Sequence, residues 1–419
     1  MYYERTIEPT IKNISQTFPV LIVTGPRQVG KTTLLSRMAE KERKIVSLDN
    51  PTIRAFAKRD PEMFLQRYQP PVLIDEVQYA TELFDYIKIY ADRHKRPGDF
   101  WLTGSQTFHM MKRVTESLAG RAGIVRMAGL SNSEISGNHF PPFRVDIPTL
   151  IKRMDDMEPM MIYDVYSRIF KGSMPRLYEN EAVNLEQYYE SYLETYISRD
   201  IKDLTQVADE SAFLNFMSVI AARTATNVNY ETIAGEVGVS APTAKQLSIL
   251  VSSGLVALIQ PYSNNALKRV IKAPRMYFLD TGLCAHLTKW SSPETLERGA
   301  MAGQFFETWV VSEIYKSYIN AGKQPPLYFY RDSNKKEIDL LIYQDGILTP
   351  VEIKKGSAPK DAVKNFSVLS PIEKEPSEEN VFSGASHLKT TIGTGAVICM
   401  PADMIPIDDK NWYIPAWLI

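Results

Sequence analysis

The sequence predicts an α/β fold in four parts: a parallel sheet with crossover helices, a mostly helical stretch, a winged helix-turn-helix, and a second α/β unit. Three observations predict it. A Gly-rich loop, "GPRQVGKT", joins an apolar strand to a helix start at residues 25–32. A second apolar strand, "VLIDE", ends in adjacent carboxylates at Asp75 and Glu76. Near the other end, "EIDLLIYQDGILTPVEIKKG" at 337–356 places an Asp-Gly turn between two apolar runs, the pattern of a β-hairpin.

Composition sets the bounds. A chain of 419 residues with 44% hydrophobic and 23% charged residues suits a globular protein of two to four domains. The net charge of −1 provides no global field to draw it onto nucleic acid, so any such surface must be local. Two cysteines, Cys284 and Cys399, suggest neither a disulfide framework nor a cysteine-rich zinc site. The opening "MYYERTIEPT" has no apolar signal core, and no run reaches the roughly 18 apolar residues of a membrane span. A reducing cytoplasmic location without a membrane partner is expected.

The first part, expected over 1–135, is a phosphate site. Gly25-x4-Gly30-Lys31-Thr32 is a complete Walker A pattern between strand and helix, so a P-loop NTPase sheet is expected. The loop Gly25, Pro26, Arg27, Gln28, Val29, Gly30, Lys31, Thr32 and Thr33 would cradle the phosphates of ATP through the backbone N–H groups of its residues other than Pro26. Lys31 reaches the β- and γ-phosphates, and the Thr32 hydroxyl ligates Mg²⁺. Asp75 would hold the same Mg²⁺ through water, while Glu76 would orient and deprotonate the attacking water. A third strand, "FWLTGSQ", ends in Ser105 and Gln106, a position able to sense the γ-phosphate. Strands at "KIVSLDN" and "AGIVRMAGL" complete the sheet, and all polar motifs lie at strand carboxyl ends, where ligands bind in such sheets. Arg121, in the Gly-flanked "SLAGRAG", is the candidate arginine finger; a surface pair with Glu116 is the plainer alternative. Arg27 and Gln28 could also reach a neighbouring subunit.

The second part, 136–215, reads as helical; the aromatic stripe of "LEQYYESYLETYISRDIKDL" is core rather than a cofactor box. The third, 216–290, reads as a winged helix. Ile233, Ala234, Val237, Gly238, Val239, Ala244 and Leu247 give the packing pattern of a helix-turn-helix, and Gly238 makes the turn. A recognition helix from Ser240 would carry Thr243, Lys245 and Gln246, which is thin for base readout. The wing offers Lys268, Arg269, Lys272 and Arg275 for phosphate contact.

The fourth part, 295–419, contains the hairpin. With Asp345-Gly346 as a two-residue turn, Gln344 faces Ile347 and Asp339 falls opposite Glu352, with Cα atoms about 4.5 Å apart. Ile338, Leu340, Val351 and Ile353 would fill the other face. Opposed carboxylates are destabilising unless a shared proton, a basic side chain or a divalent cation offsets the repulsion. Lys354 follows on the same face, beside Glu337. An amphipathic helix at 303–319 adds Glu307 among Phe305, Phe306, Trp309 and Val310.

The order α-β-β-β-α-β, with a helix Glu, a strand Asp and Glu-x-Lys, resembles the core of the PD-(D/E)xK nuclease superfamily. The resemblance implies that Asp339 and Glu352 hold Mg²⁺ (or Mn²⁺), that Lys354 positions the attacking water, and that Glu307 completes the site. Glu337, opposite Lys354, could quench that lysine. With "TGPRQVGKTTLL", "SLDNP", "LIDEVQ", "LTGSQ", "SLAGR", "YISRDI" and "YFLDTGL", nearly the whole chain resembles a widespread prokaryotic family of AAA+-type ATPases. Its members end in a nuclease-like domain of unknown function. "KGSMPRL" departs from the family's Gly-Gly-x-Pro turn at Ser173. The implied function is an ATP-hydrolysing ATPase coupled to a Mg²⁺-dependent step on DNA, acting as a homo-oligomer, a hexamer by analogy. The alternative is an ATPase switch, or a DNA- or partner-binding protein, with an inert nuclease fold.

Overall fold

A computed structural model describes residues 2–105, 114, 116–180, 182–196, 210–237, 243–263, 273–332, 334–369 and 390–419. Gln106, Gly238, Val239, Ser240, Lys268, Arg269 and Lys272 lie outside the described residues, as do the side chains of Thr243, Ala244 and Lys245.

The N-terminal sheet follows from its apolar runs. Strands β1 (Val20–Thr24), β2 (Lys44–Ser47), β3 (Val72–Asp75), β4 (Phe100–Gly104) and β5 (Ala122–Arg126) pair in parallel in the order β2-β3-β4-β1-β5. Strands β1 and β4 are buried along their whole length, as parallel strands covered on both faces must be. Alternation divides their side chains. Val20, Ile22, Phe100 and Leu102 join one core, while Leu21, Val23 and Trp101 join the other. Thr24 aligns with Gly104, and Ser47 with Asp75, so the strands end together and open onto one edge.

The rest of the chain builds a second, ten-stranded sheet. Its strands are β6 (Thr226–Asn227), β7 (Val256–Pro261), β8 (Arg275–Phe278), β9 (Leu327–Arg331), β10 (Glu337–Gln344), β11 (Ile347–Ile353), β12 (Thr391–Ile392), β13 (Gly395–Cys399), β14 (Ile405–Pro406) and β15 (Asn411–Pro415). They run β14-β15-β13-β11-β10-β9-β7-β8-β6, with β12 beside β11. No local pattern in the chain marks the junction. Strands β7 and β9 pair in parallel through Gln260↔Tyr328 and Pro261↔Phe329, so the wing strands continue into the hairpin sheet. Strands β13 and β15 pair in parallel at the far side, and the second helix of the expected α-β-β-β-α-β order, read near Asp361 to Phe366, is a 3₁₀ turn at Lys364–Val368.

The hairpin turn is as read. Asp345 and Gly346 both have positive φ, 55° and 78°, and Gln344 pairs with Ile347. The ladder runs outward to Leu340↔Val351. Against β9, however, the register shifts between Ile338 and Leu341. Ile338 therefore shares a small cluster with Leu341 and Leu348, while Leu340, Val351 and Ile353 face the main core. The four residues expected on one face are split by this irregularity, which falls at Asp339 and Leu340.

Helix Ala302–Asn320 is buried on nearly all sides rather than amphipathic, because β8, β11 and neighbouring helices pack around it. Two of its buried charges are paired: Glu313 accepts from the Asn132 N–H at 2.8 Å, and Lys316 donates to the Leu130 carbonyl at 2.9 Å. Helix Leu185–Tyr196 buries Tyr188, Tyr189, Tyr192, Leu193 and Tyr196, the core stripe expected. Among the described residues no helix is long and apolar enough to cross a membrane.

Candidate functional site

The phosphate loop leaves β1 and enters helix Lys31–Met38. Gly25, at φ 146°, passes so near Met127 that a Cβ would lie 2.0 Å from its carbonyl oxygen; only glycine fits. Gly30 caps the helix with φ 90° and no side-chain cap, leaving the first-turn N–H groups for an anion. Lys31 is buried and donates to the Gly25 and Pro26 carbonyls at 3.0 and 2.7 Å, so it spans the loop interior.

Asp75 collects three hydroxyls: Thr32 at 2.5 Å, Thr103 at 2.6 Å and Ser47 at 3.1 Å. A hydroxyl and a carboxylate in contact are a donor set that suits Mg²⁺, which takes one or two protein oxygens and keeps waters. Glu76 sits in the left-handed region at φ 56°, held by its N–H on the Thr103 hydroxyl at 3.1 Å. Its carboxylate accepts from Gln78 and, at 3.3 Å, from Ser105. Glu76 and Ser105 thus meet as expected, with Gln78 as a third member that the sequence reading missed. Gln78 lies two residues along "DEVQ", on the 3₁₀ turn Val77–Ala80.

The second polar cluster lies on β8, β10 and β11. Asp339 accepts from the Ile353 N–H at 3.0 Å and from Lys354 at 3.2 Å; Glu352 accepts from Lys354 at 2.6 Å. The lysine ammonium therefore bridges the two carboxylates. Burial alone would lower Lys354, but Asp339 and Glu352 together hold its pKa above the ordinary value. Lys354 does not pair with Glu337, which instead meets Arg275 and, at 3.9 Å, Arg331.

Arg275 corrects the wing reading. It is 4% exposed, donates to Glu307 at 3.3 Å, stands 4.0 Å from Asp339, and stacks over Phe329 at 4.8 Å. It neutralises carboxylates in the interior and offers nothing to a phosphate backbone. Gln246 is likewise buried, and so unavailable for reading a base. Glu307 is turned to Arg275 and to the Tyr277 hydroxyl at 2.8 Å. Among the described residues no three acidic, histidine or cysteine side chains group as a metal site. That leaves Asp339 and Glu352 as the pair to test. Burial, reinforced by the Asp339 charge, pushes Glu307 and Glu352 up to about 7. The Glu352 Oε2 atom is buried with no partner, the kind of orphaned oxygen that a cation would satisfy.

Comparison with known proteins separates these two sites. Residues 17–136 match the family model described as an AAA domain. Residues 162–294 and 302–419 match two domains of unknown function, DUF8612 and DUF4143. The chain is 26% identical over 364 residues to uncharacterized proteins of Mycobacterium tuberculosis and Mycobacterium bovis, covering 85% of this chain and 74% of each relative. Among solved structures, the RuvB Holliday junction branch migration motor of Thermotoga maritima is 16% identical, with 60% of this chain and 86% of that one covered, at a TM-score of 0.28. AMPPCP-bound DnaA from Aquifex aeolicus is 12% identical, with 59% and 85% covered, at 0.27.

Within the segment similar to AAA domains two expectations change. Gln28 does not reach outward: its Oε1 accepts from Tyr188 of the helical stretch at 2.7 Å, within the same chain. Arg121 pairs with Asp92 rather than Glu116, its NH2 group 2.9 Å from the carboxylate. Its carbonyl accepts from the N–H of Val20, the first residue of β1, so it sits at the opposite edge of the sheet from the phosphate loop. The departure at Ser173 also gains a reason. Its N–H and hydroxyl both donate to Asp280, at 2.8 and 2.7 Å, and Asp280 caps helix Thr281–Leu287 through the Leu283 N–H. A hydroxyl there secures the turn to a buried carboxylate.

Proposed function

We propose that the protein hydrolyses ATP in its AAA domain, and that turnover governs a divalent-metal-dependent step on DNA at Asp339, Glu352 and Lys354. The nucleotide half rests on convergence at one sheet edge: the loop with Lys31, the Thr32–Asp75 contact, and Glu76 held by Gln78 and Ser105. Thr32 and Asp75 would hold Mg²⁺, which neutralises developing phosphate charge when bound. Glu76 takes the proton of the attacking water, and Ser105 fixes the carboxylate that does so.

The unpartnered Glu352 Oε2 beside Asp339 is the observation that carries the second half. A bound Mg²⁺ or Mn²⁺ would lower the pKa of water and stabilise phosphorane charge. Lys354, half-exposed between the carboxylates, orients the nucleophile. The test is a melt of the full chain with and without Mn²⁺, beside Glu352→Gln. Mn²⁺ at about 100 times its dissociation constant should stabilise the native protein by about 2.7 kcal/mol, and leave the variant nearly unmoved. Native protein should also cleave DNA, and Lys354→Met should not. Equal Mn²⁺ responses in both proteins would remove the metal site. One observation favours a second reading: Arg275 and Lys354 already neutralise these carboxylates, as they would in an inert fold that only binds a partner.

Arg121 has no route to its own phosphate loop, so a finger role requires a neighbouring subunit. A ring-like homo-oligomer, a hexamer by family analogy, is expected on adding ATP. Sedimentation of Arg121→Ala should show assembly retained, with turnover reduced by about 10³-fold or more. Full ATPase activity in a native monomer would exclude the finger.

A further inference from the structure

The phosphate loop is gripped from outside by a residue far from any motif. Arg5 is 4% exposed, and all three nitrogens of its guanidinium donate hydrogen bonds. NH1 donates to the Val29 carbonyl at 3.0 Å. NH2 donates to the Ala128 and Gly129 carbonyls at 2.8 and 3.2 Å, in the segment after β5 that also crowds Gly25 through Met127. Nε donates to Glu134 at 3.3 Å, and Glu134 is itself fixed by the Thr6 and Ser131 N–H groups at 2.8 and 2.9 Å.

A trans peptide sets its carbonyl and the next N–H on opposite sides. Fixing the Val29 oxygen on Arg5 therefore fixes the direction of the Gly30 N–H, at the mouth of helix Lys31–Met38. A phosphate loop works only if its N–H groups point inward together, which requires its carbonyls to be satisfied elsewhere. Lys31 satisfies Gly25 and Pro26 from within the loop, and Arg5 satisfies Val29 from behind it. The planar fork reaches both segments at once, which a single ammonium cannot do.

We propose that Arg5 is a positioning residue for nucleotide binding, holding the Val29–Gly30 peptide so that the Gly30 N–H faces the phosphates. The proposal rests on the nucleotide reading of this loop. Native protein that bound no ADP would defeat that reading, whereas the variants below test Arg5 alone. The experiment is ADP-dependent melting and direct ADP titration of the full chain, comparing native protein, Arg5→Lys, Arg5→Gln and Glu134→Gln. Arg5→Lys and Arg5→Gln should weaken ADP binding by about 10-fold or more, the scale of one charge-assisted hydrogen bond. Turnover at saturating ATP should stay within about 3-fold, because Glu76 and Asp75 are untouched. Glu134→Gln contacts Arg5 but not the loop; it should lower the melting temperature while leaving ADP affinity within about 3-fold, unlike a merely structural role. Because ligand-dependent melting reads whatever fraction folds, weak stability in one variant does not hide the result. Native ADP affinity in either Arg5 variant, or equal losses in Arg5→Lys and Glu134→Gln, would overturn the proposal.

Discussion

Lys31→Ala should lose nucleotide binding by about 100-fold or more. Lys31 crosses the loop interior, where its ammonium donates to the backbone carbonyls of Gly25 and Pro26. On nucleotide binding this ammonium would also donate to phosphate oxygens, and charge-assisted hydrogen bonds are worth about 1.5–3 kcal/mol each. Two such contacts exceed the roughly 1.4 kcal/mol that makes a tenfold change. Titration with ADP, alongside an apo melt to confirm folding, measures this directly. Binding within a few-fold of native would mean that the loop does not cradle phosphates.

Glu76→Gln should separate binding from turnover. The substitution keeps the side chain's size and lets it continue to hydrogen-bond Gln78 and Ser105. It leaves Asp75 with its three hydroxyls, so the Mg²⁺ donors stay in place. What is lost is proton acceptance, a contribution of about 10²–10⁴ to rate. ATP affinity should change by less than about 3-fold while kcat falls by that larger factor. A native rate in this variant would show that another group activates the water, and Asp75, closed in by hydroxyls, would be a poor substitute.

The two sites were legible to different degrees. Gly25, Lys31, Thr32, Asp75 and Glu76 act at short, fixed spacings around strand ends, so the sequence order already places them. The Asp345-Gly346 turn likewise sets the pairing of Gln344 with Ile347, because few residues tolerate positive φ twice in succession. The carboxylate cluster was only half legible. Asp339, Glu352 and Lys354 share one hairpin, and their meeting follows from period-two alternation. The register shift beside Asp339, however, depends on how β9 packs, which no local pattern encodes.

By itself, then, the sequence determined the parallel sheet, the phosphate loop, the acidic strand end and the hairpin turn, all set by neighbours within a few residues. Tertiary structure alone decided which distant groups complete them. Arg5 reaches Val29 and, across more than a hundred residues, Gly129; Tyr188 reaches Gln28; and Arg275 enters the carboxylate cluster because β7 and β9 join two strand sets into one sheet. The physical reason is common to all three. Burying an arginine or a tyrosine hydroxyl demands partners, and the chain supplies them only after folding has brought remote carbonyls and carboxylates within about 3 Å.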